Sequence, residues 1–171
     1  MTISMTLDEL NQLEPPTFTS TLANIFEHSP WVAAGAYASH PFVDVDSLHH
    51  ALVEVMNHAD ASAQLALIRA HPDLAGKAAR SGKVTDASKR EQTGAGLDQL
   101  SDAEFARFHT LNERYQTTFG FPFILAVKGH DKHSILAAFV QRLEHTPSQE
   151  KQTALAEIAK IARFRLDTLL L

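Results

Sequence analysis

The stretch SDAEFARFHTLNERYQTTF, Ser101 to Phe119, decides the fold class. Ser101 and Glu104 form a capping-box signature at its start, which marks the beginning of a helix. The residues that follow recur at helical spacing and predict a helix of about four or five turns. The members of this pattern are Phe105, Phe108, Leu111, Asn112 and Tyr115.

Helical patterns also cover most of the remaining chain, and strand patterns are almost absent. Thr6 and Glu9 form a second capping-box signature. No repeat, low-complexity tract or long linker divides the 171 residues. The sequence therefore predicts one compact all-α domain, residues 1–171, with about seven to nine helices. Further helices are predicted at residues 17–27, 47–59, 62–70, 132–145 and 148–170.

The composition is that of an ordinary globular protein, with 44% hydrophobic and 20% charged residues. A formal net charge of -5 gives no general attraction to nucleic acid. Because the chain contains no cysteine, disulfides, thiol nucleophiles and cysteine-ligated metal sites are excluded. The sequence shows no secretory signal, no membrane span and no Ser-Lys-Leu terminus, so we expect a cytoplasmic protein without membrane association.

Ten histidines raise the possibility of a metal site. His50, Glu54 and His58 have the spacing that places two imidazoles and a carboxylate on one helix face. The apolar stripe of the same helix lies on the opposite side, which favours a solvated polar face instead. We therefore predict no metal site.

A basic segment follows the first third of the chain. GKAARSGK, residues 76–83, is superficially similar to a phosphate-binding loop, but it has one residue too many between its glycines and lacks the following Ser or Thr. Between residues 77 and 91, five basic residues outnumber two acidic ones. The segment could attract a small anion or form a solvated loop, and its composition leaves both open. The basic residues are Lys77, Arg80, Lys83, Lys89 and Arg90.

His71 is the candidate catalytic residue. It ends a helical pattern, and Pro72 forces the backbone out of the helical region, so the imidazole leaves the helix at a defined angle. Position alone would favour a helix-capping role. However, Ser88, Glu91 and Gln92 place a hydroxyl, a carboxylate and an amide on one helix face, which suits a pocket for a small, polar, nitrogen-rich ligand. Glu91 could hold the imidazole in its reactive protonation state.

The segment FGFPFILAVKG, residues 119–129, is the second candidate part of the site. Gly120 and Pro122 should interrupt helical structure and leave backbone amides and carbonyls without helical partners in an apolar setting. Alone, the segment would be interpreted as a core connection. Beside His71 and the polar helix face, it is better interpreted as a pocket wall whose backbone recognises the edge of a planar heterocycle.

Several separated motifs, in this order, resemble the 2-oxo-4-hydroxy-4-carboxy-5-ureidoimidazoline (OHCU) decarboxylases, which complete the conversion of urate to (S)-allantoin. The resemblance covers nearly the whole chain. It rests on SPWVA (29–33), HPF (40–42), HPDLAGK (71–77), SKREQTGAGL (88–97), LNERYQTTFGFPFILAVKG (111–129) and EIAKIARFRLDTL (157–169).

The resemblance implies a cofactor-free carboxy-lyase with His71 as general acid/base, oriented by Glu91. It implies decarboxylation because the substrate carboxylate sits beside a C=N bond that can accept the released electrons. It also implies a homodimer and selects Arg165 over Arg163 as the arginine of the C-terminal helix. The implied substrate-binding residues are Pro72, Ser88, Gln92, Phe123, Ile124, Leu125, Ala126, Val127 and Arg165.

Two other functions are compatible with the residues. A helical adaptor would use the aromatic segment 119–123 as an exposed patch for a partner protein. A related cofactor-free enzyme, such as a hydrolase, would act on another ureido or hydantoin-like compound. The adaptor would tolerate changes at Ser88, Glu91 and Gln92, and product analysis would distinguish the hydrolase.

Overall fold

The computed structural model describes residues 4–76 and 84–171. Over these ranges the chain forms nine α-helices and one 3-10 turn, and its only β pairing there is an isolated bridge between Met5 and Leu170. The predicted all-α class and the predicted number of helices are confirmed. The helices are α1 (Leu7–Asn11), α2 (Pro15–Thr21), α3 (Pro30–Ala36), α4 (Val45–His58), α5 (Ala61–Ala70), α6 (Asp86–Gly94), α7 (Asp102–Phe119), α8 (Lys132–Arg142) and α9 (Pro147–Leu169).

The predicted helices agree closely with the observed ones from α4 onward, but α2 is shorter than expected. The prediction that this helix continues to Glu27 is wrong, because it ends at Thr21. Beyond Thr21 the backbone makes tighter turns, in which the amides of Ala23 and Ile25 donate to the carbonyls of Ser20 and Leu22. Helix α3 was not predicted, and it begins directly at Pro30.

Both predicted capping boxes are confirmed. Thr6 Oγ1 accepts from the Glu9 amide, and the Glu9 carboxylate accepts from the Thr6 amide, at the start of α1. Ser101 and Glu104 form the same reciprocal pair at the start of α7. Gly120, with a left-handed φ of 82°, ends α7.

The chain divides into two compact units. The first contains Met1–Ala70 and Ile158–Leu171, and the second contains His71–Glu157. The predicted single domain over residues 1–171 stays a prediction. None of the helices in the described ranges has the length and apolarity that a bilayer span requires.

The first unit is built around apolar side chains of α1 to α4 and the end of α9. Helices α3 and α4 approach closely at Gly35, where a Cβ atom would lie 2.8 Å from a methyl group of Val55. Phe18 is fully buried against the rings of Tyr37 and Phe42, at centroid distances of 5.2 and 6.1 Å. The exposed His50 and His58 confirm the predicted solvated face of α4.

The second unit has an aromatic core. Tyr115 of α7 lies at its centre, with ring centroids of Phe119, Phe121 and Phe123 between 4.6 and 6.0 Å away. Phe123 also stacks on Phe139 of α8 at 3.8 Å. This core supports the irregular segment 121–127, all of which is buried. The segment similar to a phosphate-binding loop, residues 76–83, lies outside the described residues except for Gly76. The basic residues Lys77, Arg80 and Lys83 belong to this segment.

Candidate active site

The loop that follows α5 carries the predicted catalytic histidine. His71 is 6% exposed, and its Nε2 atom is buried. Pro72 follows directly, and the loop continues to Ala75, which has a left-handed φ of 53°. At Gly76 the backbone approaches Asp73 so closely that a Cβ atom would lie 2.8 Å from the Asp73 Cβ. The loop therefore has a conformation that few sequences can adopt.

Helix α6 buries polar side chains. Ser88 is 4% exposed and Gln92 is 6% exposed, whereas Glu91 is half-buried. Thr85 caps the helix by accepting from the Ser88 amide at 3.2 Å. The buried face of this helix therefore consists of a hydroxyl and an amide, where most helices bury apolar groups, and the carboxylate of the predicted face is only half-buried.

Gln92 connects this helix to the loop of His71. Its Oε1 atom accepts from the Ala75 amide at 2.8 Å, and its Nε2 atom donates to the Asp73 carbonyl at 3.3 Å. Each amide atom of a glutamine can make two hydrogen bonds. Gln92 therefore retains one N–H and one lone pair for a ligand while it holds the loop.

The segment Phe123–Val127 is held by two charged side chains. Arg142 donates to the Ile124 carbonyl, and Glu157 Oε1 accepts from the Ala126 amide at 3.2 Å. Leu125 lies between these anchored residues and is 9% exposed. Within the described residues, its amide and carbonyl make no hydrogen bond. Buried backbone groups need partners, so this position is suited to a ligand with donor and acceptor atoms.

Arg165 and Arg163 have different environments in the first unit. Arg165 is 8% exposed and donates to Glu27 Oε1 at 2.8 Å and to the Asn24 carbonyl at 3.1 Å. Arg163 lies nearer the surface, where it pairs with Asp46 and Asp167. Of the two arginines, Arg165 is the one held in a defined orientation by a buried carboxylate.

Sequence reasoning missed the residues that support the site. Asn112 donates to the Leu74 carbonyl at 2.9 Å, and Gln116 donates to Asp73 Oδ1 at 2.8 Å. Burial raises the pKa of the Asp73 carboxyl, and the hydrogen bond from Gln116 opposes this shift. One signal was available in the sequence, because Asn112 is a polar residue within the apolar pattern of α7.

The adaptor interpretation requires an exposed aromatic patch, and this expectation is wrong. Phe121 is 6% exposed and Phe123 is 1% exposed. Both rings pack on Tyr115 in the core of the second unit. They are therefore committed to packing and cannot form a surface for a partner protein.

Comparisons with known proteins identify the family of this chain. The sequence model of the OHCU decarboxylase family matches residues 11–167. The chain belongs to this family. It is 43% identical to the 2-oxo-4-hydroxy-4-carboxy-5-ureidoimidazoline decarboxylase of Haloferax volcanii, over 95% of this chain and 94% of that protein. It is 47% identical to the uric acid degradation bifunctional protein PucL of Bacillus subtilis, over 94% of this chain but 32% of that protein.

Solved structures agree with this membership. A crystal structure of (S)-allantoin synthase superposes with a TM-score of 0.79 at 33% identity, over 97% of this chain and 54% of the other. An OHCU decarboxylase crystallised in the presence of (S)-allantoin superposes with a TM-score of 0.71 at 22% identity, over 87% of this chain and 96% of the other. This similarity supports the fold. The predicted family and the predicted enzyme class, a carboxy-lyase, are confirmed.

Proposed function

We propose that this decarboxylase converts 2-oxo-4-hydroxy-4-carboxy-5-ureidoimidazoline to (S)-allantoin during urate degradation. The observation that carries the proposal is the polar buried face of α6 beside the loop of His71, joined to it through Gln92. Family membership supplies the reaction class. A face that buries a hydroxyl and an amide suits a ureido-substituted ring, which offers several N–H donors and carbonyl acceptors.

The reaction follows from the structure of the substrate. C4 of the ring carries a hydroxyl and the carboxylate, and C5 is joined to a ring nitrogen by a double bond. When the bond from C4 to the carboxylate breaks, carbon dioxide leaves and its electron pair forms a C4=C5 bond while the ring nitrogen accepts charge. Protonation of that ring nitrogen and of C5, together with loss of the C4 hydroxyl proton, then gives allantoin. The ring is its own electron acceptor, so we expect no cofactor.

His71 is the proposed general acid/base in this sequence. Its imidazole would take the C4 hydroxyl proton and deliver a proton to one face of C5, which creates the S centre. Glu91 would orient the imidazole, and such positioned proton transfer contributes about 10²–10⁴-fold in rate. Burial of His71 supports this role because it shields the imidazole from bulk water.

The remaining predicted residues would position the substrate. Ser88, the free N–H and lone pair of Gln92, and Arg165 would bind its polar groups, and Pro72 would border the ring. Leu125 offers the unpartnered amide and carbonyl of the pocket wall, while Phe123, Ile124, Ala126 and Val127 would enclose the ring. Holding the carboxylate out of the ring plane would align the breaking bond with the C=N system. We further propose one functional domain over residues 1–171, a homodimer and a cytoplasmic location.

The direct test is stereochemical. The unstable substrate is generated from urate by the two preceding enzymes, the protein is added, and allantoin is followed by circular dichroism. We expect a rapid S-enantiomer signal that is absent without the protein. A slow, racemic decay at the same rate with and without the protein would refute the proposed function. Formation of a ring-opened product that retains the carboxylate would instead indicate a hydrolase.

The catalytic residue is tested by His71→Asn, with His58→Asn as a matched control because His58 is exposed on α4. We expect His71→Asn to fold normally and to lose at least about a hundredfold in rate, since general acid/base transfer contributes that much. His58→Asn should retain the wild-type rate. Glu91→Gln keeps the shape of the side chain, so a loss below about tenfold would limit Glu91 to orientation of the ligand. A His71→Asn variant with most of its activity would remove His71 from the mechanism.

A further inference from the structure

The loop that carries His71 is held by side-chain amides from two helices. Gln92 of α6 binds the Asp73 carbonyl and the Ala75 amide. Asn112 of α7 donates to the Leu74 carbonyl at 2.9 Å, so that the three consecutive residues after Pro72 each have a polar group bound by an amide side chain. Gln116, one turn further along α7, adds a hydrogen bond to the Asp73 side chain.

These bonds hold a strained conformation. Ala75 has a φ of 53°, a region that residues other than glycine rarely adopt. Such residues persist where their surroundings fix them, and they concentrate at active sites. The amide of Ala75 is the group that Gln92 binds, and the carbonyl of the preceding Leu74 is the group that Asn112 binds. The two side chains therefore fix both ends of the peptide plane that leads into the strained residue.

Asn112 is an unexpected residue for this position if it serves stability alone. It is 4% exposed and lies in the apolar pattern of α7. Because the Leu74 carbonyl requires a donor, the side-chain amide of Asn112 must point its N–H group toward it. Its Oδ1 atom is then buried without a hydrogen-bond partner among the described residues. An unmet buried acceptor is destabilising to about the same extent as a lost hydrogen bond is. With a leucine at this position the Leu74 carbonyl would be the unmet acceptor instead, so Asn112 leaves the number of unmet buried acceptors unchanged and contributes only one hydrogen bond to stability.

We propose that Asn112 is a positioning residue for the reaction: by holding the Leu74 carbonyl it fixes the path of the loop and with it the imidazole of His71. This inference rests on the proposed function of His71. A displacement of about 1 Å in a catalytic group can cost about a hundredfold in rate. The retention of an asparagine with an unmet acceptor is then explained by catalysis.

The test compares Asn112→Leu with two controls. Asn112→Leu removes the hydrogen bond and the unmet Oδ1 but leaves the Leu74 carbonyl without its donor, so the net change is about one hydrogen bond and the Tm should stay within about 4 °C of the wild type. We expect kcat to fall by about tenfold to a hundredfold, with KM changed by less than about threefold. Phe108→Leu, in the same helix but in the aromatic core, should lower the Tm by about 3–5 °C and leave kcat unchanged. Thr110→Ala removes an exposed hydrogen bond within α7 and should change kcat by less than about threefold.

Three outcomes would overturn the inference. The first is a kcat of Asn112→Leu within about twofold of the wild type. The second is that kcat falls in proportion to Tm, and by the same proportion, in Asn112→Leu and in Phe108→Leu, because lost stability would then explain both. The third is a raised KM with unchanged kcat, which would make Asn112 a simple substrate contact. Should Asn112→Leu fail to fold, Asn112→Ala, which leaves room for water at the Leu74 carbonyl, carries the same test.

A readout without substrate separates this inference from the proposed function. Hydrogen exchange of the Ala75 amide and the ring chemical shifts of His71 are measured by NMR in each variant. We expect Asn112→Leu to accelerate exchange at Ala75 by at least about tenfold and to shift the His71 ring resonances, while Phe108→Leu does neither beyond its global effect. If the wild type lacks decarboxylase activity, the proposed function fails, and unchanged exchange and shifts would independently refute the positioning role.

Discussion

A buried arginine–glutamate pair lies in each unit of the molecule, and the two pairs bind different irregular segments of backbone. In the second unit, Arg142 lies 2.8 Å from Glu150 and donates to the carbonyl of Ile124 in the segment 121–127. In the first unit, Arg165 lies 2.8 Å from Glu27 and donates to carbonyls in the turn that precedes α3.

The shared feature explains why these charges are buried. Irregular backbone in a core has carbonyls without helical partners, and the five N–H groups of an arginine can bind a carboxylate and such carbonyls at the same time. The difference is in what surrounds the carboxylate. Glu150 is fully buried and also accepts from Tyr115 and contacts His145 at 2.9 Å. Burial and the neighbouring Glu150 raise the pKa of the Tyr115 hydroxyl far above its usual range, so it remains a donor.

A buried ion pair therefore does not by itself mark a catalytic residue. Arg142 supports the pocket wall from behind, through the Ile124 carbonyl, whereas Arg165 is the arginine that the family resemblance assigns to the substrate. Both are equally buried and equally well paired. Variants that separate stability from activity are needed to distinguish the two roles.

The largest expected effect is that of Glu150→Gln. The substitution leaves the guanidinium of Arg142 buried without a carboxylate, which should lower the free energy of unfolding by about 3–5 kcal/mol. Urea unfolding measures this change, with the exposed Glu144→Gln as the matched control. A loss below about 1 kcal/mol would mean that the hydrogen bonds that Arg142 donates to the Tyr115 hydroxyl and the Ile124 carbonyl are enough to stabilise the arginine.

The next prediction applies one substitution to both pairs. A lysine keeps the charge but loses the fork that binds a carboxylate and a carbonyl together. Arg142→Lys and Arg165→Lys should each lower the free energy of unfolding by about 1–3 kcal/mol. Only Arg165→Lys should also lower kcat/KM by at least about tenfold, because a charged hydrogen bond to the substrate is worth about 1.5–3 kcal/mol.

Steady-state kinetics at a temperature where both lysine variants are folded give this comparison. Equal losses of kcat/KM in the two variants would contradict the assignment of Arg165 to the substrate. A larger loss for Arg142→Lys would instead show that the position of the wall limits the reaction more than the contact with Arg165 does.

The same comparison shows what the sequence could predict. Local signals were sufficient for most of the helices, since a capping box or an apolar spacing involves residues within four or five positions of each other. The polar face of α6 and the exit of His71 before Pro72 are local signals of the same kind. The end of α2 was missed because no glycine or proline follows Thr21 before Pro30 to mark it.

The supporting residues could not be predicted because their partners are distant in sequence. Tyr115 and Glu150 are separated by 35 positions, and Asn112 and Leu74 by 38. No period or motif links residues so far apart, and the apolar pattern of α7 treats Asn112 and Tyr115 as core positions. Only the folded arrangement shows that they bind the Leu74 carbonyl and the Glu150 carboxylate.

The smallest expected effect concerns a half-buried pair near the surface, Glu104 of α7 and Lys132 of α8. The hydrogen bond from Lys132 and the capping bond from the Ser101 amide lower the pKa of the Glu104 carboxyl to about 2. Because the folded-state pKa lies below the ordinary value of 4.5, ionised Glu104 stabilises the fold above pH 4.5, and this stabilisation is lost as the pH falls toward 2. Glu104→Gln should therefore lower the Tm slightly at pH 7, by about 2 °C, and the difference should disappear near pH 2.

Glu9→Gln is the matched control, because Glu9 closes the same capping box at the start of α1. Glutamine can replace glutamate in either box, so both variants keep the capping hydrogen bond and lose only the charge. Among the described residues no lysine lies at hydrogen-bond distance from Glu9. The Tm difference between Glu9→Gln and the wild type should therefore change less with pH than that for Glu104→Gln. If the Tm difference depends on pH in the same way for both variants, the effect comes from the helix dipole and not from Lys132. Of the ion pairs compared here, only the buried arginine–glutamate pairs would then stabilise the fold through a specific partner.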